Sequence, residues 1–162
     1  ARNGRNYDHD EIGYNYRMTN LQAAVGCAQL ERLAHFVKSK RLVRAKYDAV
    51  ITGMGGLDTF PKVEWGEGTA WLSGFILKPV ISASSRQLCD LFRVEGIDAR
   101  PIWKPIHLQD PYANSICASL QVTDSIWQKI VTLPSSTSLT TKEIKRVKDA
   151  LYRIVANYGQ GE

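Results

Sequence analysis

Residues 13–20 read GYNYRMTN and stand just before a long run of helix-forming residues. The first turn of a helix carries unpaired N–H groups and a partial positive charge, so anions bind there readily. Asn15 offers an amide donor and Arg17 a planar fork suited to phosphate. On spacing alone the competing reading stays open: Asn15 as a turn residue, Arg17 paired with Asp10 or Glu11. A second segment, RPIWKPIHLQDPY at 100–112, interleaves Arg100, Lys104 and His107 with Trp103 and three prolines. Proline stiffens an extended loop and can hold such polar groups in fixed positions, as binding a nucleotide or sugar phosphate would require. The bland alternative is a surface loop with Trp103 and Tyr112 packed on the body and a structural His107. A third segment, IVTLPSSTSLTTKEI at 130–144, has hydroxyls that suit phosphate but suit turn and cap chemistry better.

The elements that must position these residues follow from periodicity. Apolar residues at Leu21, Ala24, Val25, Ala28, Leu33, Phe36, Val37, Val43, Tyr47 and Val50 have helical spacing. They predict one long helix over 20–52, or two nearly collinear ones meeting near Ser39, capped by Thr19 or Asn20 and ended by Gly53 and Gly55-Gly56. A short strand is expected near Thr59–Val63 and a stronger one within AWLSGFILKPV at 70–80, stopped by Pro79. Ser84 with Gln87 predicts a capping box for a helix over 85–95, with Gly96 beyond its end and a short strand at Ile97–Arg100. Residues 101–122 read as irregular chain with a helical turn near 115–119. Thr123 is the expected cap of a short helix to Ile130, Val131–Leu133 a strand, and Thr140 with Glu143 a second capping box before a helix ending near Tyr158. Helices alternating with strands predict an α/β fold, a modest sheet with helices on it.

The 162 residues suffice for one compact domain, with 44% hydrophobic and 23% charged residues. A net charge of +5 suits an anionic small molecule as well as nucleic acid. The basic run KSKRLVRAK at 38–46 falls inside the helical pattern and reads first as a solvated face. Cys27, Cys89 and Cys117 are widely spaced and read as reduced, buried thiols of a cytoplasmic protein. The scattered His9, His35 and His107 give no metal-ligand spacing, no apolar run is long enough for a membrane span, and no secretion signal opens the chain. No phosphate-cradling glycine motif, serine-hydrolase order or RNA-binding sheet pattern is present. The polar opening ARNGRNYDHD reads as the downstream piece of something longer.

Three stretches carry a resemblance: YDHDEIGYNYRMTNLQAAVGCAQLERL at 7–33, RPIWKPIH…PY within 100–112, and LPSSTSLTTKEI at 133–144. Together they resemble the C-terminal part of the DegT/DnrJ/EryC1/StrS family of pyridoxal-phosphate (PLP) sugar aminotransferases of fold type I. Trp71-Leu72 and the RPIWKPIH wording are most similar to the branch acting in legionaminic or bacillosamine-type nucleotide-sugar pathways. The resemblance implies that 1–19 is the loop ending a large PLP domain that lies upstream, and that 20–162 is the small C-terminal domain with its linking helix 20–52. It implies a homodimer in which Asn15 reaches the PLP phosphate of the neighbouring copy and Arg17 lies nearby. It places Tyr16, Arg100 and His107 toward the nucleotide sugar. The family's Schiff-base lysine and the aspartate facing the pyridine nitrogen would both lie upstream, so no catalytic residue is expected here and the piece alone should be inactive, without bound PLP. In the complete enzyme an amino group, typically from glutamate, would pass to a nucleotide-linked keto-sugar. Two other roles remain: a non-catalytic dimerisation or nucleotide-sugar-binding module, and a basic nucleic-acid-binding module, which steep salt dependence on random DNA would reveal. The expectation is no nucleic acid and no membrane partner.

Overall fold

The computed structural model describes residues 2–3 and 7–158. They form two compact units. One comprises residues 1–36 and 103–127, the other 37–102 and 128–162. Helix α2 begins in the first and runs on into the second.

In the first unit, β1 (Arg2–Asn3) pairs antiparallel with β2 (Asp8–His9), so the expected 1–19 loop contains a short ladder. A stretch with no helix or strand then leads to helix α1 (Asn20–Leu30). Thr19 is its N-cap, as expected, and it forms a capping box with Gln22. The predicted long helix is two helices, but they part at Glu31–Arg32 rather than near Ser39, and α2 (Leu33–Ile51) follows. The cause is a tightened turn: the Arg32 N–H donates to Gln29 O, three residues back, while Glu31 keeps helical angles. No glycine or proline marks the place. The helical turn expected at 115–119 lies earlier, as single 3₁₀ turns at Ile106–Leu108 and Asp110–Tyr112, where Pro105 and Pro111 favour short turns. Helix α4 (Gln121–Ile126) starts at Leu120 without a side-chain cap, so Thr123 lies inside it rather than ahead of it.

The second unit holds the hydrophobic core. Strands β3 (Leu57–Thr59), β4 (Ser73–Leu77), β5 (Arg100–Pro101) and β6 (Ile130–Leu133) form one sheet in the order β3-β4-β6-β5, every pair antiparallel. β3 falls just before the expected 59–63, because Pro61 cannot donate to a ladder. β5 falls at the end of the expected 97–100, where Arg100 and Pro101 come opposite Thr132 and Val131. Helix α3 (Ser85–Val94) has the predicted Ser84–Gln87 box, and Gly96 beyond it takes a left-handed φ of 68°. Helix α5 (Thr141–Ala156) has the predicted Thr140–Glu143 box. α3 packs on α5, β5 and β6, and the three meet in a core that includes Phe75, Leu88, Phe92, Val131 and Leu151. This is the small sheet covered by helices that the sequence predicts.

Helix α2 is fixed to the ends of these strands by polar bonds. Tyr47, fully buried, donates its O–H to Pro134 O at 2.9 Å. Lys40 Nζ donates to Trp71 O at 2.9 Å, and its partial burial lowers its pKa. The basic run is not simply a solvated face. Arg44 pairs with Asp48 at 2.7 Å with little exposure, and Arg41 pairs with Glu67. Among the three cysteines only Cys89 is buried. Cys27 and Cys117 are exposed, contrary to expectation, because α1 has no buried residue within the chain and Cys117 sits in an irregular segment.

Candidate functional site

The site is built from the chain entering α1. Residues 12–19 are neither helix nor strand, and Tyr14, Asn15, Tyr16 and Arg17 are all exposed, Tyr16 to 83%. The Tyr14 and Tyr16 rings stand 6.1 Å apart. Among the described residues, no ion pair joins Arg17 to Asp10 or Glu11, and Asn15 and Arg17 make no hydrogen bond. Their donors are therefore available to an external acceptor. One helix donor is already satisfied: Gln22 N–H donates to Thr19 Oγ1 at 3.3 Å.

The 100–112 segment divides into fixed and presented side chains. Gln109, which sequence reasoning passed over, is buried. Its Oε1 accepts from His9 N at 2.9 Å, and its Nε2 donates to Tyr7 O at 2.8 Å and to Lys104 O at 3.1 Å. One amide thus ties the β2 end to the proline-stiffened loop, and Tyr7 stacks edge-on against Trp103 with centroids 6.2 Å apart. Tyr7 itself has a left-handed φ of 56°, a strained conformation for a tyrosine that these contacts maintain. Lys104 is drawn to Asp8 at 3.5 Å and Asp110 at 3.9 Å, so it reads as structural. Nothing in the sequence pattern distinguished Gln109 from its neighbours; its role comes from a partner 100 residues away.

His107 is partly buried beside a cavity. Its Nε2 pairs with Asp124 Oδ1 at 2.7 Å, which fixes the ring. With Ile106, Tyr112, Ile116 and Leu120 it borders a cavity of about 400 Å³. Arg100 belongs to the second unit. Its Nε lies 3.1 Å from both Asp98 oxygens and its Nη2 2.6 Å from Oδ2. That contact holds the Asp98 carboxyl below its usual range. The hydroxyl segment does turn and cap work: Ser136 and Ser138 bond each other at 2.9 Å, and Thr140 caps α5. Among the described residues no cluster of His, Cys, Asp and Glu could hold a metal ion, and no helix is long and apolar enough to cross a membrane.

The decisive comparison is with sequence families. The model of the DegT/DnrJ/EryC1/StrS aminotransferase family matches residues 1–152. The chain belongs to this family. Among curated relatives, EpsN of Bacillus subtilis strain 168, assigned as a pyridoxal phosphate-dependent aminotransferase, is 32% identical over 91% of this chain and 39% of its own. The GDP-perosamine synthase of Caulobacter vibrioides is 32% identical over 93% of this chain and 41% of its own. The chain thus spans about two fifths of the length of the curated relatives it matches. In fold it is similar to Helicobacter pylori PseC, an aminotransferase involved in pseudoaminic acid biosynthesis, with a TM-score of 0.76 at 16% identity, covering 98% of this chain and 43% of that one. The architecture is that of the small domain of sugar aminotransferases of fold type I.

Proposed function

We propose that this chain is the C-terminal portion of a PLP-dependent aminotransferase that moves an amino group from an amino acid, glutamate in the simplest case, to a nucleotide-linked keto-sugar. The observation that carries the reading is family membership over residues 1–152, with Asn15 and Arg17 exposed and unpaired ahead of α1. The donor set fits a phosphate: an amide N–H beside a guanidinium fork, with no carboxylate of the described chain occupying either. When bound, PLP supplies the electron sink on which amino transfer depends. Asn15 and Arg17 would hold its phosphate, which in a homodimer would be that of the neighbouring copy. The family resemblance would turn Tyr16 and His107 of the first unit, and separately Arg100 of the second, toward the nucleotide sugar; within its own unit Asp124 orients His107 and Asp98 orients Arg100. A narrower form of the proposal assigns the substrate to the legionaminic or bacillosamine-type branch that the RPIWKPIH wording resembles. The lysine that carries the cofactor in this family lies outside the matched motifs, so this chain alone is inactive.

The exposed apolar residues in and before α1 support the same reading. Tyr14, Met18, Leu21, Val25 and Leu30 are all strongly exposed, and an 11-residue helix burying nothing is marginal in water. A partner copy that covers this face would explain why the helix persists.

The test is complementation. The chain is mixed with the lysine-bearing upstream part of the Caulobacter relative, and PLP absorbance is recorded. We expect a spectral change that neither part gives alone. Asn15→Ala and Arg17→Ala should each weaken PLP binding about tenfold, the factor that one charge-assisted hydrogen bond represents. If both variants bind PLP as the parent does, the assignment of the phosphate fails.

A further inference from the structure

A separate chemical environment lies between α2 and the loop 61–70, wholly within the second unit. It is a cavity of about 430 Å³, bordered on the helix by Arg41, Arg44 and Asp48 and on the loop by Lys62, Val63 and Glu67. Arg44 is spoken for. Its Nε donates to Asp48 Oδ1 at 2.7 Å, its Nη2 donates to Phe60 O at 2.5 Å, and its guanidinium lies 5.1 Å from the Phe60 ring centre. The other Asp48 oxygen is different. Oδ2 is shielded from solvent and accepts no hydrogen bond, while Lys62 Nζ stands 3.8 Å away, too far for one. A buried carboxylate oxygen without a donor is costly, and a ligand that brings one relieves that cost.

The cationic side of the cavity has the complementary vacancy. Arg41 Nε donates to Gly68 O at 3.0 Å, and its Nη2 meets Glu67 Oε2 at 2.9 Å. The Glu67 side chain is 83% exposed, so this pair is weak and exchangeable. Lys62, 81% exposed, has donors to spare. Glu67 therefore occupies the guanidinium as the carboxylate of a small molecule would. The loop carrying it ends at Ala70, whose left-handed φ of 53° is a strained conformation of the kind found at binding loops.

We propose that this cavity binds a small zwitterion of the α-amino acid class. The ligand carboxylate replaces Glu67 on Arg41 and draws Lys62 toward it. The ligand ammonium takes the place of the Lys62 ammonium facing Asp48 Oδ2, which becomes reachable once Lys62 turns to the ligand carboxylate, and a short apolar side chain rests on Ala45, Val63 and Ala70. The charge pattern selects this class. Two carboxylates in the same space repel a phosphate dianion, three cationic side chains repel a metal ion, and a neutral polyol brings neither an ammonium for Asp48 Oδ2 nor a carboxylate to replace Glu67. The site is independent of the proposed cofactor contacts at Asn15 and Arg17.

The experiment uses L-valine as probe and follows the backbone amides of residues 62–70 by heteronuclear NMR on the full chain. We expect saturable shifts in the millimolar range. N-acetyl-L-valine, which lacks the ammonium, and L-valinamide, which lacks the carboxylate, should each bind about tenfold more weakly. Asp48→Asn should abolish binding. Because that change also touches the Arg44 pair, the exposed variant Glu67→Gln provides the independent reading. It removes the internal competitor and should tighten valine binding. Amides that stay still up to about 10 mM valine, analogues that bind equally well, or Glu67→Gln that weakens binding would each overturn the proposal.

Discussion

Replacing Gly74 by alanine tests how the sheet is held together. Gly74 lies buried in β4 opposite Thr132 of β6, between the two most extensively paired strands of the sheet. A Cβ built there would stand 2.9 Å from Thr132 Cα and 3.0 Å from the Val131 carbonyl carbon, with the Val131 carbonyl oxygen closer still. Ordinary contact begins near 3.4 Å, and the atoms in the way are all backbone, so the strands themselves must part or shift by about an ångström or more at the Val131 oxygen. Parting them weakens two or three ladder bonds, each worth about 1 kcal/mol net, and loosens the fully buried Phe75 and Val131 on either side. The expected loss is about 3–5 kcal/mol, a large share of the roughly 5–15 kcal/mol that stabilises a typical domain. At about 2–4 °C per kcal/mol for a chain of this size, the melting temperature should fall by roughly 6–20 °C. Urea and thermal denaturation followed by circular dichroism measure both. Gly26→Ala is the control: nothing lies within 4 Å of its Cβ position, and in mid-helix the change should be neutral or stabilising by up to about 1 kcal/mol. A Gly74→Ala protein that loses less than about 1 kcal/mol would refute the claim that backbone closeness at this position determines the pairing.

Tyr47→Phe removes the donor to Pro134 O and should cost about 1–2 kcal/mol in urea unfolding. Burial pushes the Tyr47 hydroxyl up to about 12, above its ordinary 10.0, so its contribution is complete below pH 10.0 and is lost as pH rises toward 12; the phenylalanine variant should lack that part of the alkaline loss. Thiol titration of the native chain should find two fast groups, Cys27 and Cys117, and a third only on unfolding, because burial pushes the Cys89 thiol up to about 12. The Thr140 hydroxyl and N–H hold the Glu143 carboxyl below its ordinary 4.5, so the α5 cap contributes above that pH and loses its contribution as pH falls through the lower folded value. Glu143→Gln should flatten that acid limb of the urea midpoint, and an unchanged limb would show that the cap does not titrate. Sedimentation at high concentration should show self-association, with Leu21→Glu and Val25→Glu together reducing it; a monomer at every concentration would leave the exposed face of α1 unexplained.

What could be read from the sequence was what is decided within four residues. Ser84 with Gln87 and Thr140 with Glu143 satisfy each other's backbone donors locally, so the residues alone place both helix starts. The strand order β3-β4-β6-β5 joins Leu57–Thr59 to Ser73–Leu77 and reaches Arg100 across β6, pairings between distant segments that no local pattern encodes. The division at Glu31 was equally silent, since a single hydrogen bond three residues back makes it and the backbone angles stay helical. Cys27 shows the limit of periodicity most plainly. Its helix repeats apolar residues at the spacing of a buried face, yet among the described residues nothing buries that face. A pattern states that a side needs covering; it does not state by what.

The same distinction sorts the candidate site. Lys104, His107 and Arg100 looked alike in the sequence: basic groups on one proline-rich stretch. In the structure Lys104 stands 3.5 and 3.9 Å from Asp8 and Asp110, whereas Arg100 and His107 each meet one carboxylate closely, at 2.6 and 2.7 Å, that orients them, Arg100 keeping half of its side chain exposed and His107 little. Gln109, uncharged and unremarked, fixes the loop that carries two of them. Asn15 and Arg17 differ from all of these in that no partner among the described residues orients them. In a folded chain, donors are normally satisfied by neighbours or water, and a guanidinium beside an amide, exposed among tyrosines and methionine, has the composition of an interface more than of a solvated loop. The unpaired donors and the uncovered apolar face of α1 lie on one continuous segment, residues 14–30. A single event, the docking of another polypeptide that carries a phosphate, would answer both.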